Sequence, residues 1–79
     1  MNLTNREKKI LNKALNKGYL TLYDFHQEYK TPKIARETAQ RFMIFGLINP
    51  DIGNSFRINE SKIREILGLF DQSLEIYEN

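Results

Sequence analysis

A chain of 79 residues with no cysteine has neither a disulfide nor a thiolate metal site to fasten it, so one hydrophobic core must carry its stability. That length accommodates one core and not two, and every motif therefore belongs to a single folding unit. The material is present: 41% of the residues are hydrophobic, 11% aromatic and 28% charged, a balance that folds. No apolar run approaches the ~20 residues needed to cross a bilayer. The opening "MNLTNREKK" lacks the apolar segment of a secretion signal. The expectation is a soluble cytoplasmic protein, nucleoid-associated if prokaryotic, with no membrane partner.

His26 is the only histidine. One imidazole with scattered carboxylates makes a poor metal site, and a nucleophilic triad has no cysteine and no serine placed beside His26. A histidine on a helix edge near Tyr23 and Tyr29 is the better reading. No enzyme activity, metal or cofactor is expected.

The net charge of +2 conceals an uneven distribution. Residues 1 to 18 hold Arg6, Lys8, Lys9, Lys13 and Lys17 against Glu7. Residues 30 to 41 hold Lys30, Lys33, Arg36 and Arg41 against Glu37. Residues 59 to 79 reverse the sign, with Lys62 and Arg64 facing Glu60, Glu65, Asp71, Glu75 and Glu78. This asymmetry points to a polyanion on one face, against the alternative of a solvated surface.

Helix signals punctuate the chain. Thr4 and Glu7 sit at capping-box spacing and Gly18 suits a left-handed terminus, which predicts a first helix with Ile10, Leu11, Ala14 and Leu15 inward. Leu3 would begin a hydrophobic staple, but its partner position is Lys8. Tyr19, Leu20 and Thr21 read as a short strand that needs a partner elsewhere. Leu22, Phe25 and Tyr29 recur at helical spacing and predict a short helix over 22–29, which leaves Lys30 as the turn. Thr31 is an N-cap and Pro32 fits the first helical position, while Gly46 ends the helix, which runs from about Pro32 to Phe45. Ala35, Ala39 and Phe42 fall on one side, with Thr38 and Phe45 at its edge. Lys33, Glu37, Gln40 and Arg41 fall on the other. The alanines permit close crossing by the preceding helix.

After Gly46, "LINPDIGNSFRI" reads as strand, turn and strand, and supplies the neighbour that residues 19 to 21 lack. Asn59 caps a last helix whose stripe is Ile63, Ile66, Leu67, Phe70, Leu74 and Tyr77. Gly68 inside it costs ~1 kcal/mol relative to alanine, with a break there as the alternative. The stripe suggests a homodimer seam, which would set two reading helices about 34 Å apart on a palindromic site. Folding back on the first helix is the equal alternative.

The order helix, strand, helix, helix, hairpin, helix, together with "FMIFGLI" at residues 42 to 48, resembles the winged helix-turn-helix family. The resemblance covers residues 4 to 58. It implies an α+β, mainly helical fold: a winged helix-turn-helix domain over residues 1–58, with a three-helix core, short strand and β-hairpin wing, plus a C-terminal helix over 59–79. It further implies that residues 32 to 45 form the recognition helix, residues 22 to 29 its support and residues 49 to 55 the wing tip. The tip carries no Lys or Arg and leaves Arg57 as the nearby wing cation.

A helix that docks in the major groove, about 12 Å wide, needs an outward face of cations, amides and hydroxyls. Arg36 or Arg41 can donate to guanine, Gln40 can pair with adenine and Glu37 can accept from cytosine. Lys33 adds charge, and Thr31 with the free N–H groups at the helix start can hold a phosphate. The bland alternative pairs Glu37 with Arg41 and leaves the face solvated. Lys9, Lys13 and Lys17 line one side of the first helix, with solvation preferred over flanking phosphate. Tyr19, Tyr23 and Tyr29 read as packing rather than as stacking platforms for single strands. The resulting expectation is a sequence-specific double-stranded DNA-binding protein, a small transcriptional regulator that represses by occupancy. The rival is a winged-helix module that docks proteins without DNA.

Overall fold

A computed structural model describes residues 2–69 of the chain. Helix α1 (Asn5–Lys17) begins at a reciprocal cap. The Thr4 hydroxyl accepts from the Glu7 N–H at 3.1 Å, and the Glu7 carboxylate accepts from the Thr4 N–H at 2.8 Å. It ends at Gly18, φ 87°, whose N–H donates to the Ala14 carbonyl at 2.7 Å. Ile10, Leu11 and Ala14 are buried and Leu15 packs at their margin, as the spacing predicts. Leu3 also packs against the core without the staple.

Strand β1 (Tyr19–Thr21) runs directly into α2 (Leu22–Glu28) through a second reciprocal cap, formed by Thr21 and Asp24. Helix α2 stops one residue before the expected Tyr29, so Tyr29, Lys30 and Thr31 form the turn into α3 (Pro32–Ile44). Thr31 holds the N-cap position, but its hydroxyl makes no capping hydrogen bond. Pro32 sits at the first helical turn as expected, where its missing N–H leaves nothing unsatisfied. Thr38 lies deeper than its predicted edge position, 4% exposed, because its hydroxyl donates to the Ile34 carbonyl at 2.9 Å and needs no solvent.

The end of α3 explains the "FGLI" stretch. Gly46, φ 74°, donates to the Met43 carbonyl at 3.0 Å, and the Leu47 N–H donates to the Phe42 carbonyl at 2.9 Å. This is a Schellman turn, with Phe42 and Leu47 both fully buried as its apolar contact. Phe45 is the C-cap and stays 44% exposed, outside the helix rather than ending it.

Strands β2 (Ile48–Pro50) and β3 (Ser55–Ile58) form the hairpin, and β1 joins it in the antiparallel order β1-β3-β2. Strand β2 extends through Asn49 and Pro50, which the sequence assigns to the turn. Pro50 is tolerated because β2 is an edge strand. The row Leu20–Phe56–Pro50 marks the inner face, on which Leu20 is fully buried. Tyr19–Arg57–Asn49 crosses the exposed face. Phe25 from α2 meets Phe42 at 5.6 Å and Phe56 at 5.8 Å, both edge-on.

Helix α4 (Glu60–Ile66) is capped by Asn59, whose side chain accepts from the Lys62 N–H at 3.2 Å. The expected continuous stripe breaks here. Gly68, φ 75°, and Leu69 close a second Schellman turn onto Glu65 and Arg64, so the helix stops at Ile66. Ile63 is fully buried in this chain's own core and offers nothing to a second copy. Ile66 and Leu67 pack against the same core, and Phe70, Leu74 and Tyr77 lie outside the described residues. Because Ile63 belongs to that core, the core extends past residue 58. The architecture is a mainly helical α+β unit of four helices and one three-stranded antiparallel sheet among the described residues.

Gly46 provides the sharpest test of this account. A Cβ there would meet only the Lys62 ammonium at 3.8 Å, an ordinary contact, so the penalty of Gly46→Ala is the left-handed backbone alone. A loss of about 1–2 kcal/mol in urea-unfolding stability is expected, with the fold retained.

Candidate nucleic-acid interface

Helix α3 buries Ala35, Thr38, Ala39 and Phe42 against α2 and the sheet, and at 100° per residue this turns Lys33, Arg36, Glu37, Gln40 and Ile44 to solvent. All five are exposed, Ile44 to 80%. Among the described residues none of Lys30, Lys33, Arg36 and Glu37 has an ion-pair partner. Thr31 is exposed at the start of the helix.

Arg41 stands apart from this face. It lies at the helix edge with its guanidinium on the Glu7 carboxylate of α1, and its side chain is 47% exposed while that of Glu7 is 2% exposed. The expected i,i+4 partner Glu37 is not the carboxylate that holds it. The pair bridges α1 to α3, so Arg41 has a structural task beside any contact with DNA. Arg57 is exposed on β3, inside the strand and flanked across the sheet by Tyr19 and Asn49. The turn beyond it, Asp51 to Asn54, presents Ile52 at 88% exposure and no cation. That turn is held at both ends. The Asp51 N–H donates to Ser55 at 2.9 Å, and Asn54 accepts from the Leu22 N–H at 2.8 Å.

Three of the four lysines of α1 meet partners on α2, and Lys8 stays exposed without an ion-pair partner among the described residues. Lys9 lies 3.4 Å from Glu28, Lys13 3.6 Å from Asp24 and 3.0 Å from the Gln27 side-chain oxygen, and Lys17 2.7 Å from Asp24. The i, i+4, i+8 stripe of α1 thus faces the i, i+4 carboxylates of α2, a match between helices that neither helix reveals alone. Lys17 also stands 4.6 Å from the centre of the Tyr19 ring.

Asp24 is the focus of that array. Burial acts to raise its pKa, but the Lys17 ammonium, the Thr21 N–H and the Thr21 hydroxyl donate to it. Together with the Lys17 charge they outweigh burial and hold the carboxyl below its ordinary 3.8. The consequence is selective: Lys9, Lys13 and Lys17 of α1 are paired, whereas Arg6 and Lys8 near its start and Lys30, Lys33 and Arg36 around the start of α3 have no ion-pair partner among the described residues.

No helix among the described residues is long and apolar enough to cross a membrane. Comparison of the chain with protein-family models, with curated proteins and with solved structures gives no match.

Two outcomes follow from the ion pairs. Arg41→Ala leaves a buried carboxylate with the Thr4 N–H as its remaining partner, and should lower urea-unfolding stability by about 2 kcal/mol. The exposed half of the arginine keeps the loss below that of a fully buried pair. Adding Glu7→Gln to Arg41→Ala should cost less than the sum of the two single changes, the sign of direct coupling. For Asp24, the folded carboxyl ionises more readily than the unfolded one, so its stabilisation is complete above 3.8 and is lost as pH falls through the lower folded value. Asp24→Asn should therefore be destabilised by about 2 kcal/mol at neutral pH, and the gap to the parent should narrow in urea midpoints taken at decreasing pH below 3.8.

Proposed function

We propose that the chain is a sequence-specific double-stranded DNA-binding protein of the winged helix-turn-helix kind, acting as a small repressor by occupancy, with α3 entering the major groove. One observation carries this reading: α3 holds Lys33, Arg36, Glu37 and Gln40 together on a solvent-facing side, while Lys9, Lys13 and Lys17 of α1 are paired with carboxylates of α2. A helix with that side chain set meets the requirement of groove readout. Guanidinium and amide forks match guanine and adenine edges, a carboxylate matches cytosine, and a lysine supplies the salt-sensitive attraction to phosphate. Arg36 and Gln40, one turn apart, are the base-reading pair of this proposal. Lys30 and Lys33 flank them as phosphate contacts, and Thr31 lies beside the same strand. Arg57 on β3 supplies the wing's cation, displaced from the hairpin tip.

The rival reading, a protein-docking module, draws on Ile44 and Ile52, exposed to 80% and 88%. Both side chains are large and apolar at positions where a DNA-binding surface gains little from them.

Titration with a random-sequence duplex at two salt concentrations separates the readings. DNA binding requires an affinity that falls steeply as salt rises. Arg36→Ala should weaken binding to a selected site by about 5- to 150-fold, the loss of one bidentate base contact. Association that ignores salt, or an Arg36→Ala variant indistinguishable from the parent, would overturn the assignment of this face.

A further inference from the structure

A pair of guanidinium groups lies away from the outer face of α3. A cleft of about 380 Å³ opens between the start of α1, the end of α2 and the edge of α3 along which Ile34, Thr38 and Arg41 succeed one another. Arg6 and Arg41, from different helices, both line it.

Each of these arginines is already steadied by neighbours. Arg41 is held by Glu7. Arg6 donates to the Glu28 carbonyl at 3.1 Å, and its guanidinium stands 5.9 Å from the centre of the Tyr29 ring. A guanidinium has five N–H donors, so one such contact leaves others available, and a side chain already restrained loses less freedom when a ligand arrives. The local charge is unequal. Glu7 compensates Arg41, while Arg6 has no ion-pair partner among the described residues, which leaves one positive charge over at the cleft. The rest of the lining is largely apolar. Tyr29 and the half-exposed Ile34 form a wall, and the Thr38 hydroxyl is turned to the Ile34 carbonyl.

We propose that this cleft binds a singly charged oxyanion carried on a partly apolar body, with Arg6 and Arg41 donating to the oxygens and Tyr29 and Ile34 packing against the body. Two sources have that chemistry: a sugar–phosphodiester unit of a strand bordering the groove that α3 enters, and a free small organic carboxylate. The first rests on the DNA-binding reading above. The second stands without it.

Two probes test the site. Benzoate, with neutral benzamide as its isosteric control, is followed through backbone amide chemical shifts. A random-sequence duplex is followed through a salt series. Saturable shifts at Arg6, Tyr29, Ile34 and Thr38 with benzoate but not benzamide, reduced about tenfold in affinity by Arg6→Gln, identify a free carboxylate as a ligand. A fall of about 1 in the slope of log affinity against log salt for Arg6→Gln identifies a strand phosphate. Arg6→Lys should restore the slope but only part of the benzoate affinity, because lysine keeps the charge and loses the fork. Arg6 is exposed, and an unchanged urea midpoint verifies that the variant folds; Ile34→Asp, which repels an anion from the wall, is the second variant and should give the same losses. If the parent fails to bind duplex at all, the DNA reading falls and benzoate alone decides the cleft. No benzoate saturation combined with no change in slope overturns the proposal.

Discussion

The edge-on contacts of Phe25 with Phe42 and Phe56 join the three parts of this molecule at one ring. Phe25 comes from α2, Phe42 from α3 and Phe56 from the middle strand β3, so a single side chain fixes the two helices and the sheet relative to one another. Ala35 and Ala39 sit on the inward side of α3, one turn apart, and their small side chains let the backbones approach closely enough for the rings to meet. With that side of α3 committed, helical geometry leaves no choice about which residues face water. The outward display of Lys33, Arg36 and Gln40 is a consequence of packing on the opposite side, not of any contact those residues make.

Two buried carboxylates extend the same economy to the polar groups. Glu7 and Asp24 each occupy the third position of a reciprocal helix cap, and each also binds a cation from a neighbouring helix: Glu7 takes Arg41 of α3, and Asp24 takes Lys13 and Lys17 of α1. A cap alone satisfies local N–H groups and says nothing about where the next helix lies. Adding a cation from another helix converts the local device into a tertiary one. It also answers the burial of the charge, since each carboxylate has backbone and side-chain donors on its oxygens. The start of α1 is tied to α3, and the start of α2 is tied to the end of α1.

Local signals in the chain are strong enough to place the helices, and the misreadings of charge all involve partners distant in sequence. The caps at Thr4 and Gly18, proline at the start of α3 and glycine at its end are chemistry confined to a few neighbouring residues, and they lie where the periodicity puts them. The strand over residues 19 to 21 was legible as one lacking a partner, and β3 is that partner. The Thr21–Asp24 cap was present as a Thr-x-x-Asp pattern but is hidden by its overlap with a strand. Lys9, Lys13 and Lys17 read as a solvated stripe because the carboxylates that meet them sit on another helix at an unknown rotation. Arg41 read as part of the outer face for the same reason: the choice between Glu37 and Glu7 is made by the approach of α1, which no spacing within α3 encodes. The spacing around Gly68 predicts a helix-interior glycine that costs ~1 kcal/mol relative to alanine. The left-handed turn with its two carbonyl acceptors makes that glycine a terminator instead.

The pairing of α1 with α2 also bears on what the outer surface can recognise. Had Lys9, Lys13 and Lys17 been free as well, positive potential would have spread further around the domain, favouring polyanions without regard to orientation. Their pairing with α2 makes the cations at the start of α3 a more localised feature, and on the proposed DNA-binding reading Glu37 beside them penalises misplaced phosphate. Localised charge orients a duplex; diffuse charge merely attracts it. On the same proposal the apolar, cation-free tip at Ile52 works in the same direction, because a hairpin that draws no phosphate would leave the register to α3 and to Arg57 within β3. Under that proposal, a domain this small would discriminate between orientations as much by where charge is paired off as by where it remains.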